Sequence, residues 1–305
     1  MMTRLVHAKQ FLILLIVLNF TVFTVCNAQD KRTINVGLAQ MKVVDGEIET
    51  NLKTAGEMIK KAKEQFADIV VLPECSDIGW GHVDALELAK KFGKTTQKTL
   101  CKYAKKNSIF VVVGITEYEN SKVYNTALTI DPKGNIISKH RKINTLTSVE
   151  PMYAIGDRIS VFQTPWAKVG VSICADNFSN SLSIAESLIR MGAEIILSPC
   201  AWAVSPDFGD RVYGNEWRQP YSYLAKNFGV PVVGVSYVGK SATGAWKGHS
   251  VIGNSIWADC DGNTYNLPFG ENAECLKVVE LTINTQTLKG TSLTNFMNQK
   301  KQKRE

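Results

Sequence analysis

From Thr33 onward, apolar and polar positions alternate in two rhythms, short buried runs and one-sided helices. Residues 33–40, Thr-Ile-Asn-Val-Gly-Leu-Ala-Gln, alternate like a strand. Over residues 51–66, Leu52, Ala55, Met58, Ile59 and Ala62 fall on one helical face. Residues 68–73, Asp-Ile-Val-Val-Leu-Pro, form a β-branched run typical of a strand covered on both sides. A second helix is predicted over about 83–107 and another buried strand over 109–114. Residues 124–130 and 136–141 flank Asp131-Pro132-Lys133-Gly134-Asn135, a hairpin signal, and 160–164 with 167–174 predict another. A helix at 181–191 leads to a strand at 193–198, and a helix at 217–228 to a strand at 231–237. Residues 250–258 and 264–267 flank a turn at 259–263, and 277–283 is the last strand.

Helices alternating with buried strands indicate an α/β protein, and the interleaved hairpins indicate mixed rather than purely parallel sheets. No Pro/Ser/Gly-rich linker and no repeat divides the chain, so residues 29–295 are assigned to one domain.

The first 28 residues follow neither rhythm. Arg4, His7 and Lys9 precede an uncharged apolar stretch at 11–25, and Cys26-Asn27-Ala28 offers a cleavage site before Gln29. The stretch is shorter than the ~18–20 apolar residues that span a bilayer, so it is read as a cleaved signal peptide rather than an anchor. Lipid attachment at Cys26 is the alternative, with Val25 a poor residue in front of a lipidated cysteine. The expected mature protein is periplasmic or secreted, without stable membrane insertion.

Composition changes this picture little. Of 305 residues 45% are hydrophobic and 21% charged, which excludes a disordered, collagenous or coiled-coil chain. The formal charge of +7 is partly local, since Lys300, Lys301, Lys303 and Arg304 cluster in a basic tail, residues 296–305. No folded basic stripe with interleaved aromatics is visible, so no nucleic-acid partner is expected. Six cysteines follow Cys26, without CxxC or metal-finger spacing, too sparse for a disulfide scaffold. No His pairs with another His or Cys at ligand spacing, and no metal is expected.

Three reactive groups stand just past buried strands, where open α/β sheets present function: Glu74, Lys142 and Cys174. Singly, each has an ordinary reading, as a loop carboxylate, a solvated lysine and a core thiol. Together they form a chemistry. A thiolate is a strong nucleophile that needs a base to take its proton. A shielded carboxylate near a lysine can be that base. An ammonium, with the Ala175 N–H as a second donor, can stabilise the oxyanion formed when sulfur attacks an amide carbon. The set suffices for acyl transfer from an amide to water and needs no cofactor.

In order, residues 35–40, 68–74, Arg141-Lys142-Ile143, Glu150 with Tyr153 and Gly156, and 170–176 resemble the carbon–nitrogen hydrolase, or nitrilase, superfamily. Residues 192–199 and 248–252 fit as well, so the resemblance runs from about Thr33 to Ile283. It implies a four-layer αββα sandwich of two mixed sheets packed face to face. It implies Glu74 as general base, Lys142 as oxyanion stabiliser, Cys174 as nucleophile, and Asp176 as a support for the nucleophile turn. Glu150 is either the superfamily's second glutamate beside the lysine or a surface carboxylate. It also implies a small amide, N-carbamoyl or nitrile substrate and a homodimer or higher homo-oligomer. The chain departs after Asp176. Asn177-Phe178-Ser179-Asn180 stands where carbamoyl- and nitrile-handling branches often carry Arg or Trp and then Pro-Glu, which leaves the substrate open. Trp80, Tyr153 and Trp202 are candidate pocket walls, with core packing the equal alternative. Against hydrolysis stand N-acyl transfer and an inactive binding protein of the same fold; retention of all three reactive residues argues against the latter.

Overall fold

The computed structural model describes residues 32–209, 213–284, 290–291 and 293. The expected leader at 1–28 and the basic tail at 296–305 lie outside the described residues. The first half runs β1 (Arg32–Gln40), α1 (Ile48–Glu64), β2 (Ile69–Val71), α2 (Ala85–Asn107), β3 (Phe110–Glu119), β4 (Lys122–Ile130) and β5 (Ile136–Arg141). Then follow β6 (Val161–Gln163), β7 (Lys168–Val171), a 3₁₀ turn (Cys174–Asn177), α3 (Ser183–Arg190), β8 (Ile195–Cys200) and β9 (Ala203–Val204). The chain continues through α4 (Asn215–Phe228), β10 (Val232–Ser236), β11 (Val238–Lys240), β12 (Ser250–Ile252), β13 (Ile256–Ala258), β14 (Thr264–Asn266) and β15 (Cys275–Ile283).

Two six-stranded sheets result, ordered β15-β1-β2-β3-β4-β5 and β6-β7-β8-β10-β13-β14. Read in those directions, both step antiparallel, parallel, parallel, antiparallel, antiparallel. The period-2 alternation explains the layers. Ile34, Val36, Leu38, Ile69, Val71, Phe110 and Val112 meet Val169, Val171, Leu197, Val233 and Val235 in one buried cluster between the sheets. The intervening Val70, Leu72, Val111 and Val113 turn outward onto Leu52, Ala55, Met58 and Ile59 of α1 and Leu100 and Ala104 of α2. Leu188 and Ile189 of α3 with Trp217, Tyr221 and Leu224 of α4 cover the second sheet. Helix, sheet, sheet, helix is the expected αββα sandwich.

The strand expected over 167–174 stops at Val171, β9 and β11 carry no periodic signal, and one expected strand is divided. The run 250–258 is two strands, because Gly253 and Asn254 both turn left-handed (φ 68° and 57°). β13 pairs in the second sheet, whereas β12 joins β11 and β9 in a small third sheet. Periodicity alone carries no mark of a strand that changes sheets. Among the described residues, no helix is long and apolar enough to cross a membrane.

Candidate active site

Glu74 lies in the loop that leaves β2, and Gly114 of β3 fixes that loop. The Gly114 N–H donates to the Pro73 carbonyl at 3.0 Å, and the Gly114 carbonyl accepts from the Ser76 N–H and hydroxyl, both at 2.9 Å. A Cβ at Gly114 would stand 2.5 Å from the Glu74 Cα and 2.6 Å from the Pro73 carbonyl oxygen. The Glu74 carboxylate is fully buried. Its Oε1 accepts from Lys142 Nζ at 2.9 Å and Asn125 Nδ2 at 2.6 Å. Its Oε2 is buried with no partner among the described residues.

Lys142 follows β5, and its backbone N–H still donates to the Asn125 carbonyl of β4 at 2.9 Å. The ammonium, 1% exposed, bridges Glu74 and Glu150, whose Oε1 lies 2.7 Å away. Glu150 is a member of the cluster and not a surface carboxylate. It also accepts from the Leu146 N–H at 2.7 Å and, on Oε2, from Trp80 Nε1 at 2.7 Å. Two of the three ammonium protons are thus engaged among the described residues.

Cys174 opens the 3₁₀ turn after β7 with a left-handed φ of 42°, a strained conformation for a cysteine. Its N–H donates to Ser198 Oγ at 3.2 Å, so the following N–H, that of Ala175, is the next donor in the turn. Asp176 holds the turn against the lysine loop. Its carboxylate accepts from the backbone N–H groups of Ile173 (3.1 Å), Ile143 (3.2 Å) and Asn144 (2.8 Å), and pairs with His140 Nε2 at 2.8 Å.

Charges follow from these surroundings. Burial pushes the Glu74 carboxyl above the ordinary glutamate range, Lys142 opposes this, and Glu150 adds to the rise. Burial also disfavours the Lys142 ammonium, yet Glu74 and Glu150 outweigh it and hold the pKa well above the lysine norm. The Cys174 thiol is pushed well up by a hydrogen bond with Cys200, by burial and by Glu74, against the pull of Lys142. The thiol is thus held neutral beside a fixed ammonium, and the Glu74 carboxyl binds a proton more tightly than an ordinary glutamate. Asp176 is the reverse case. Burial would raise it, but His140 and the backbone donors hold it below the ordinary aspartate range.

The other candidates lie near this centre in different surroundings. Tyr153 is buried behind the Glu74 loop, its hydroxyl 3.5 Å from Cys75 Sγ. Trp202 is wholly buried in the cluster that includes Cys174, stacked on Trp217 with ring centroids 4.4 Å apart. Asn125, which no motif singled out, donates to Glu74 and, at 3.5 Å, to Glu150. An asparagine, a residue depleted in strands, within a predicted strand was its sequence signal.

Residues 35–288 match the family model described as carbon-nitrogen hydrolase. The chain belongs to the carbon-nitrogen hydrolase family. Within that family it is 33% identical to an omega-amidase of Xenopus tropicalis over 162 residues, 50% of this chain and 58% of that relative. It is 33% identical to a nitrilase of Pyrococcus abyssi over 172 residues, 54% of this chain and 64% of that relative. The alignments thus span less than two thirds of either relative. The solved carbon-nitrogen hydrolase from Helicobacter pylori G27 has the same fold. It superposes with a TM-score of 0.71 at 19% identity, covering 82% of this chain and 89% of that one.

Proposed function

We propose that this carbon-nitrogen hydrolase is an exported thiol hydrolase of a small amide or N-carbamoyl compound, acting through a Cys174 thioester and releasing ammonia or an amine. The observation that carries the reading is the asymmetry of the Glu74 carboxylate: Oε1 is held by Lys142 and Asn125, and Oε2 is buried and free. A base needs one oxygen fixed and one available.

The steps balance without a cofactor. The Cys174 thiol passes its proton to Glu74 as sulfur bonds to the carbonyl carbon. The oxyanion meets the remaining Lys142 proton and the Ala175 N–H. Glu74 returns the proton to the departing nitrogen as the C–N bond breaks, which leaves a thioester. Water gives a proton to Glu74 and attacks the thioester carbon; the acid departs and the thiol is restored. Glu150, Trp80 and Asn125 keep the ammonium aimed. The named activity of the omega-amidase relative agrees with an amide substrate.

The test is a screen of small amides, N-carbamoyl compounds and nitriles for ammonia release, with Cys174→Ala as control. Release from an amide or carbamoyl compound that disappears in the variant supports the reading. Release from nitriles alone replaces its substrate class, and no Cys174-dependent release sinks it. Export rests on the leader pattern, and N-terminal sequencing of secreted or periplasmic protein beginning near Gln29 checks it. Self-association through the helical face beside the nucleophile strand is part of the same reading and is measured by light scattering.

A further inference from the structure

β7 and β8 run parallel, with Val169, Gly170 and Val171 facing Ile195, Ile196 and Leu197. The ladder continues past β7, since the Ser172 N–H donates to the Leu197 carbonyl at 3.3 Å. β7 ends at Val171, and Cys174 opens the 3₁₀ turn just past it, level with the end of β8, which closes on Cys200. Ser198 connects the two residues. Its hydroxyl accepts from the Cys174 N–H at 3.2 Å and lies 3.5 Å from Cys200 Sγ. Cys200 is wholly buried; its thiol donates to the Ser198 carbonyl at 3.3 Å and lies 3.7 Å from the Tyr221 hydroxyl, and its backbone carbonyl accepts from the Glu74 N–H at 3.2 Å. The reaction proposed above gives this second thiol nothing to do.

We propose that Cys200 is a resolving cysteine: a hydroperoxide oxidises Cys174, and Cys200 closes a reversible Cys174–Cys200 disulfide that switches the site off. Glu74 takes the Cys174 proton, as it does for an amide. The thiolate attacks the outer peroxide oxygen and the O–O bond breaks. Sulfur is oxidised by two electrons to a sulfenic acid, and the peroxide is reduced to water or an alcohol that recovers the proton from Glu74. Cys200 sulfur then attacks the Cys174 sulfur, the S–S bond forms and the S–O bond breaks. Hydroxide leaves with the Cys200 proton as water. A dithiol reverses the bridge. Without a second thiol, a sulfenic acid proceeds to sulfinic and sulfonic acids, which do not revert unaided. Both residues meet the Ser198 hydroxyl, so the bridge would close between close neighbours at the ends of β7 and β8.

The inference rests on Cys174 being the reactive thiol, as proposed above, but its readout is mass and needs no substrate. The reduced full chain is treated with stepwise hydrogen peroxide and examined by intact mass and peptide mapping. The expected product is lighter by two hydrogens, has its Cys174 and Cys200 peptides joined, and reverts fully with dithiothreitol. Cys200→Ser under the same treatment should instead add two or three oxygens to Cys174 irreversibly. Oxygen addition at Cys174 of the unsubstituted chain without a joined peptide overturns the proposal. So does a bridge to another cysteine, or an unmodified Cys174. If Cys200→Ser does not fold, the mapping of the unsubstituted chain still decides. A bridge that forms on oxidation, together with no amide turnover by the reduced chain, would fault the hydrolase reading alone.

Discussion

At the strand ends of the first sheet the site is charged, with Glu74 after β2 and Lys142 after β5. At the strand ends of the second sheet it is neutral, with Cys174 after β7, and Ser198 and Cys200 closing β8. The two sheets share one sequence of parallel and antiparallel steps, so strand order does not explain the difference. Their partners do. The first sheet brings two carboxylates to one buried ammonium; burial, with help from Glu150, raises Glu74, and the two carboxylates keep Lys142 protonated. The second brings hydroxyls and thiols, which orient Cys174 without ionising it. Its one carboxylate at the site, Asp176, is spent on backbone N–H groups, two of them from the lysine loop. Burial alone does not make a base. Both carboxylates are buried: burial leaves Glu74 raised, with Oε2 unpartnered among the described residues, whereas His140 and backbone donors hold Asp176 low.

The largest effect expected from breaking this division is in Cys174→Ala. Turnover should vanish while circular dichroism and melting stay near those of the parent, since only a sulfur atom is lost. Glu74→Gln should lose about 10²–10⁴ in kcat/KM, the usual worth of general base catalysis, because an amide of the same size cannot take the thiol proton. Adding Glu74→Gln to Cys174→Ala should cost nothing further in an ammonia assay. Lys142→Ala removes an oxyanion donor and should cost about 10²–10³ in kcat, some 3–4 kcal/mol. A loss in KM alone would show that Lys142 binds substrate without serving the transition state.

Asp176→Asn should reverse the pattern and lower stability more than rate, by about 1–3 kcal/mol for each backbone donor left unmatched, read by denaturant titration. The signs with pH are opposite for the two carboxylates. Glu74 holds its proton more tightly folded than unfolded, so its contribution to stability falls as pH rises from the ordinary glutamate range to its raised value. Asp176 holds its proton less tightly, so its contribution is present above the ordinary aspartate range and is lost as pH falls through its depressed value. Stability differences for Glu74→Gln and Asp176→Asn, measured from pH 3 to 8, should therefore slope in opposite directions; parallel slopes would end the comparison. Trp80→Phe should be the mildest change. It removes one donor from the Glu150 carboxylate, at about 1.5 kcal/mol or roughly tenfold in kcat/KM.

Glu74, Lys142 and Cys174 were legible because each stands just past a buried strand, where periodicity ends and a reactive side chain stands out. Most elements were legible for the same reason. Glu150 was ambiguous, since a glutamate in a loop looks alike whether it meets solvent or an ammonium eight residues earlier. Asn125 and the Trp80–Glu150 bond were not legible, because they arise from neighbours 25 to 70 positions apart in sequence. The break at Gly253-Asn254 was hidden because both of its strands are apolar and the residues between them are buried.

The Glu74 N–H donates to the Cys200 carbonyl at 3.2 Å, a single main-chain bond between the two sheets at the reacting centre. The proton acceptor and the sulfur therefore belong to different halves of the sandwich. Proton transfer tolerates little misplacement, so the sandwich acts as a mechanical gauge of its own docking. A slip of one sheet over the other by the width of an atom would leave every helix and strand in place and still silence the molecule. Under mild heat or denaturant, turnover should fade while the backbone spectrum remains that of the intact fold, and it should return as soon as the two halves seat again.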